Sequence, residues 1–281
     1  MSSVAEIVTP AAPAPVAKHS SFYLAMRILP SEQREAMYAV YAFCRAVDDI
    51  ADDGGPSAPR LAMLDQWRAD IARLYDGGGP TELTHELARP LARFGMRQQD
   101  FLDVIAGMEM DVRREMRGAS WEKFELYCDR VASAVGRLSV KIFGVNDDKG
   151  ILLSHHLGRA LQMTNVLRDL DEDAELGRLY LPVEALASAG IDEKDIVKVL
   201  AHARLGDACM MVANRAERHF TEAAAVMAGC GKESVRSPRI MASVYRALLD
   251  KLVTRGWKPP REKVRPSKLR FLSAVARYGI V

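Results

Sequence analysis

Apolar residues recur at three- and four-residue spacing along most of the chain, with polar positions filling the intervals. That period marks amphipathic helices. Loop punctuation interrupts it at Gly54-Gly55-Pro56, Gly77-Gly78-Gly79-Pro80, Arg117-Gly118, Gly144 to Gly150, Gly190, Gly231 and Lys258-Pro259-Pro260. Helices are predicted to start near Ser20, Ser31, Ser57, Thr81, Gln98, Ser120, Lys149, Asp192, Leu205, Ser237 and Ser267. Several of these starts carry the Ser or Thr of an N-cap. No run alternates with period two for long enough to form a sheet. The pattern predicts an all-α protein: a disordered tail over residues 1–18, then one helical domain over 19–281.

Hydrophobic residues make up 49% of the 281 and charged residues 27%, enough for a sizeable core. Net charge is +2, from 39 Lys/Arg against 37 Asp/Glu. That balance speaks against a protein that coats nucleic acid. It also conceals a partition. Residues 45–53 and 168–173 hold Asp48, Asp49, Asp52, Asp53, Asp169, Asp171, Glu172 and Asp173. From Lys251 onward the only acid is Glu262, among Lys251, Arg255, Lys258, Arg261, Lys263, Arg265, Lys268, Arg270 and Arg277. The cysteines Cys44, Cys128, Cys209 and Cys230 form no CxxC pair, which disfavours a disulfide framework or zinc knuckle and suits a reducing cytoplasm. No signal peptide or membrane-spanning stretch is legible, so a cytoplasmic protein with at most peripheral membrane contact is expected.

The first acidic segment carries candidate chemistry. On a helix Tyr41, Arg45, Asp48 and Asp52 fall at i, i+4, i+7 and i+11, a stripe about 16 Å long. Like charges ~4 Å apart repel by about 4 kcal/mol at an effective dielectric of 20. Water, protons or a cation must offset that repulsion, and hard oxygen ligands favour Mg²⁺. A solvated, frayed acidic helix end is the bland alternative.

The second stripe is Gln162, Asn165, Asp169 and Asp173, flanked by Leu161, Met163, Val166, Leu167 and Leu170. Amides on such a face need partners, which metal-bound water or phosphate would supply. A calcium loop over Asp169, Asp171 and Asp173 fails, because its Gly is replaced by Ala174 and its closing Glu by Tyr180. A solvated helix end again remains. Two such stripes suggest a facing pair that clamps metal ions around an anion such as diphosphate, with Arg45 and Arg168 on the phosphate oxygens.

Three further segments are ambiguous. His19-Ser20-Ser21-Phe22 precedes a predicted helix, as an anion site or as an ordinary cap. Ala132, Ser133, Ala134 and Gly136 allow a close helix crossing or leave room for an apolar ligand. The basic C-terminal segment could close over diphosphate, touch an anionic membrane, or simply be solvated.

Taken together, Tyr41-x3-Arg45-x2-Asp48-Asp49-x2-Asp52, Gln162-x2-Asn165-x2-Arg168-Asp169-x3-Asp173 and Gly177-Arg178-Leu179-Tyr180-Leu181-Pro182 resemble the squalene/phytoene synthase family. The stretch Tyr127 to Ser139 looks most like the bacterial presqualene diphosphate synthases of hopanoid biosynthesis within it. The resemblance implies an isoprenoid synthase helical bundle around a central cavity. It also implies head-to-head condensation of two farnesyl diphosphates to presqualene diphosphate. By position, Asp48, Asp52, Asn165, Asp169 and Asp173 would bind Mg²⁺. His19, Ser20, Ser21, Phe22, Tyr41, Arg45, Gln162, Arg168, Tyr245 and Arg265 would bind substrate. Tyr41, Arg45, Tyr127 and Tyr180 would act at the reaction centre, with Tyr41 or the released diphosphate as proton acceptor. Phytoene, squalene or dehydrosqualene synthesis on the same fold are alternatives. A non-catalytic helical protein binding metal or a lipid diphosphate is another. Oligomeric state is not legible.

Overall fold

Helix α1 (Ser31–Asp52) buries Ala36, Met37, Val40, Phe43, Val47 and Ile50, the three-and-four spacing of a single apolar face. Against it lie α2 (Ser57–Tyr75), α3 (His85–Phe94) and α4 (Gln98–Val112). Phe43 is the hub of this first core. It meets Trp67 edge-on at 5.3 Å between ring centroids and Phe101 at 5.2 Å. Each such pair contributes about 0.5–1.5 kcal/mol beyond its burial. The computed structural model describes residues 26–145 and 147–279. The tail over residues 1–18, His19 to Phe22 and the helix start near Ser20 lie outside them.

The chain continues through α5 (Trp121–Cys128), one π-helical turn (Asp129–Ser133) and α6 (Ala134–Phe143) to the long α7 (Asp147–Arg168). Short helices α8 (Leu170–Glu175), α9 (Val183–Ser188) and α10 (Ile196–Ala201) lead into α11 (Leu205–Ala228), α12 (Arg236–Arg255) and α13 (Lys268–Tyr278). No strand occurs among the described residues. A second core gathers Leu153, Ala160, Met163 and Leu167 of α7 with Ala208, Val212, Ala216 and Phe220 of α11. Ile240, Met241, Val244 and Ala274 form a smaller one between α12 and α13. All four cysteines are free. No helix among the described residues is long and apolar enough to cross a membrane.

Several boundaries differ from the sequence reading, each for a local reason. The helix expected from Thr81 starts at His85, because Thr84 Oγ1 accepts from the Thr81 N–H at 3.0 Å and holds that stretch as a turn. The helix expected from Asp192 starts at Ile196, where Asp195 caps the Lys198 N–H at 3.1 Å. The segment from Ser120 is interrupted by the π turn, and α9 has no counterpart among the predicted helices. Ser120 and Ser267 do cap their helices, accepting from Lys123 and Arg270.

The small-residue segment packs closely. A Cβ on Gly158 of α7 would lie 2.7 Å from the Ser133 Cα, and one on Gly136 3.0 Å from the Ser154 Cβ. These two glycines let α6 and its π turn approach α7 backbone to backbone. Gly144 ends α6 in the left-handed conformation (φ 72°), which a side chain would strain.

Candidate active site

Between the two larger cores lies a cavity of about 880 Å³, near the upper end of the range for ligand pockets. Its floor is apolar, with Met37, Val104, Met108, Val131, Leu153 and Leu157. Ala132 and Gly136 also line it, so the small residues serve both the close crossing and the open space. All thirteen predicted site residues within the described chain line this one cavity: Tyr41, Arg45, Asp48, Asp52, Tyr127, Gln162, Asn165, Arg168, Asp169, Asp173, Tyr180, Tyr245 and Arg265.

Helix α1 supplies Tyr41, Arg45, Asp48 and Asp52 because its apolar face is committed to the Phe43 core. The Asp48 carboxyl is pushed up to about 6, first by burial and then by the Asp52 carboxylate, against the pull of Arg45. Asp52 is the last helical residue. Arg178 reaches back from the loop after α8, donating to Asp52 Oδ1 at 2.6 Å and to the Ala51 carbonyl at 2.8 Å. The second bond satisfies a carbonyl that the helix end leaves open.

The second stripe is not one continuous helix. Helix α7 ends at Arg168, Asp169 leaves helical geometry (φ −103°, ψ 20°), and α8 restarts at Leu170. A contact from far along the chain meets this break. Trp257 Nε1 donates to the Leu167 carbonyl at 3.0 Å, taking an acceptor at the end of α7. Beyond the break, Asp173 is pushed up to about 8 by burial first and then by Asp169; Arg178 pulls it down and Asp111 adds repulsion. On α7, Asn165 Nδ2 contacts Gln162 Oε1 at 3.5 Å, while the buried Asn165 Oδ1 has no hydrogen-bond partner. An orphaned amide oxygen in a cavity that also gathers the Asp48, Asp52, Asp169 and Asp173 carboxyl groups suits a hard divalent cation such as Mg²⁺.

Arg45 and Arg168, expected on phosphate, are held by carboxylates. Arg45 bonds Asp48 at 2.6 Å and also Asp49, and Arg168 bonds both oxygens of Asp169 at 2.6 and 2.5 Å. The basic C-terminal segment folds onto α8. Arg261 bonds Asp171, Lys263 bonds Glu172 at 2.5 Å, and Arg265 faces the cavity.

Asp111, absent from the sequence motifs, and Arg178, present in one but without a role there, are further functional candidates. Asp111 is 7% exposed and accepts hydrogen bonds from Tyr127 Oη at 2.9 Å and Tyr180 Oη at 2.8 Å. The two rings stack with centroids 4.9 Å apart. Burial raises the Asp111 carboxyl, and Arg178 is the largest pull back. Burial first and Asp111 second raise both tyrosines, so their hydroxyls stay protonated and donate. Arg178 thus links the stripes: it bonds Asp52, and its charge acts on Asp111 and Asp173. A signal for Asp111 was present. Val104, Met108 and Asp111 stand at i, i+4 and i+7, so an acid occupies an inward position of an apolar helix.

Comparison with known proteins places the chain in a family. Residues 16–270 match the squalene/phytoene synthase family. The chain is 51% identical to a presqualene diphosphate synthase of Sinorhizobium fredii, with 93% of this chain and 94% of that protein covered. It is 50% identical to one of Rhodopseudomonas palustris, covering 97% of each. Among solved structures, a ligand-bound dehydrosqualene synthase superposes with a TM-score of 0.81 at 26% identity, covering 94% of this chain and 92% of that one.

Proposed function

The chain belongs to the squalene/phytoene synthase family, and we propose that it condenses two farnesyl diphosphates head to head to presqualene diphosphate, releasing one diphosphate. One observation carries the reading: both acidic stripes line a single cavity whose floor is apolar, with Asp111 and Arg178 between them. Such a site pairs polyanion chemistry at its mouth with a dry bed for isoprenoid chains. Burying a fifteen-carbon chain is worth up to ~12 kcal/mol at ~0.8 per carbon.

Asp48, Asp52, Asp169 and Asp173, with the Asn165 oxygen and Gln162 beside them, would hold Mg²⁺. When bound, the ion supplies Lewis-acid neutralisation of diphosphate charge. Arg45 and Arg168 then exchange their carboxylate partners for phosphate oxygens, joined by Tyr41, Tyr245, Arg265 and residues 19–22. The C1–O bond of the donor breaks toward these arginines, leaving an allylic cation in a bed that excludes water. The double bond of the second molecule attacks that carbon, and loss of a proton closes the cyclopropane. The proton leaves toward the mouth, where Tyr41 and the released diphosphate both offer oxygen. Tyr127 and Tyr180, held by Asp111, wall the reacting carbons without giving up their own protons.

Incubation with farnesyl diphosphate and Mg²⁺, with and without NADPH, tests the reading. Presqualene diphosphate is expected in both cases, and EDTA should abolish it. Squalene appearing only with NADPH would assign a reductive second step instead, and turnover of geranylgeranyl diphosphate alone would assign phytoene synthesis.

A second reading concerns placement. Leu269 and Leu272 on α13 are 79% and 61% exposed beside Lys268 and Arg270, which supports peripheral docking on an anionic membrane. Co-sedimentation with vesicles containing anionic lipid is expected, and equal recovery with zwitterionic vesicles would count against it.

A further inference from the structure

Half of the six histidines gather away from the cavity, where α7 packs along α11. His155 and His156 come from α7 and His219 from α11, and no residue of α11 lines the cavity. One nitrogen from each imidazole lies within 4.8 Å of the other two. His156 Nδ1 and His219 Nδ1 are 3.0 Å apart, and the ring centroids of the three residues are 4.8 to 5.8 Å from one another. Two nitrogens bound tetrahedrally to one ion at 2.0–2.1 Å stand about 3.3 Å apart. The His156–His219 pair therefore needs only a few tenths of an ångström to adopt that geometry.

We propose that His155, His156 and His219 form a binding site for a borderline divalent transition-metal ion of the zinc class, clamping α7 to α11. Three imidazoles suit such ions, whereas the oxygen donors of the cavity suit Mg²⁺, so donor chemistry sorts the two kinds of ion between the two places. The imidazoles are available as ligands. Burial first holds all three below the ordinary histidine value, His219 down at about 4, so each is neutral with a lone pair at neutral pH.

The surrounding charges are mixed. Arg159 and Arg218 oppose a cation, while Glu222 acts on His156, and Glu125 and Asp129 act on His155. Arg159 stands 2.9 Å from His155 Nδ1, but it also bonds Asp129 at 3.0 Å, Ser133 at 3.1 Å and the His155 carbonyl at 3.3 Å. It can release the His155 ring without losing its counter-charge. His156 and His219 are thus the core pair and His155 the adjustable third ligand. Exposure of His155 and His156 is intermediate, which leaves an entry path from solvent.

Titration of the untagged full chain with Co²⁺, followed by its visible d–d absorption, tests the site. One equivalent is expected to bind, to be displaced by Zn²⁺ but not by Mg²⁺, and to raise the unfolding temperature. His156→Gln and His219→Gln, each checked as folded by circular dichroism, should weaken binding by about a hundredfold or more. Asp173→Asn should leave the band intact. Undiminished binding in both histidine variants, loss of the band in Asp173→Asn, or no band in the wild type at millimolar Co²⁺ would each overturn the proposal. In that case the His156–His219 contact is simply an N–H···N hydrogen bond.

Discussion

Asp173→Asn is expected to lower the rate of farnesyl diphosphate consumption by about 10³-fold while the protein stays folded. The substitution keeps volume and shape but removes the charge that burial and Asp169 already make costly. A pH signature accompanies it. Asp173 is raised to about 8 and Asp48 to about 6, from an unfolded value of 3.8. At pH 7 Asp173 therefore holds a proton in the metal-free protein, and a cation must expel it to bind. Apparent Mg²⁺ affinity should rise with pH through the range between about 6 and 8 and then level off. Stability follows the same linkage. Groups raised on folding contribute stability that is complete below the unfolded value and lost as pH climbs through the folded ones. Thermal unfolding in EDTA should therefore show the wild type weakening as pH rises through about 6 and about 8, and Asp173→Asn weakening less. A variant with wild-type turnover, or one that weakens as steeply, would remove Asp173 from the proposed metal site.

Asp111→Ala should cost about 2–4 kcal/mol of stability and about 10²-fold in turnover. Two buried tyrosine hydroxyls lose their acceptor, and each unpaired group costs about 1–3 kcal/mol. Arg178 also loses the charge that opposes its own. The catalytic loss follows from geometry: Tyr127 and Tyr180 stack in one wall of the cavity only while a common acceptor holds both. Asp111→Asn separates the contributions, because its amide oxygen still accepts a hydrogen bond but carries no charge toward Arg178. Urea unfolding beside steady-state turnover measures both. A wild-type midpoint for Asp111→Ala would mean that water reaches the hydroxyls and that the buried triad does not hold the wall.

Local periodicity made much of the site readable. Tyr41, Arg45, Asp48 and Asp52 share a face because a helix turns every 3.6 residues, and α1 runs unbroken from Ser31 to Asp52. Gln162 and Asn165 were readable on α7 for the same reason. The motifs are specific enough to identify the family from sequence, and residues 16–270 match it. The helical class, the apolar surround and the acidic partition likewise follow from spacing and composition.

Contacts between distant segments decided the rest. Trp257 meets the break through the Leu167 carbonyl and Arg261 holds α8 through Asp171, 90 residues apart in each case. Arg178 joins Asp52 across 126 residues, and Tyr180 joins Asp111 across 69. The imidazole cluster needs α11 to lie along α7. A helical repeat reports which side chains share a face, since that is a property of a few consecutive torsions. It carries no information on which other face they meet, because that is decided by the burial of apolar area summed over the whole chain. The sequence by itself determined the shared face of Tyr41, Arg45, Asp48 and Asp52 and the placing of Gln162 and Asn165 on one helix. Only the tertiary structure decided that Asp111 and Arg178 stand between the two stripes, that the arginines share the carboxylates, and that three histidines converge behind the cavity.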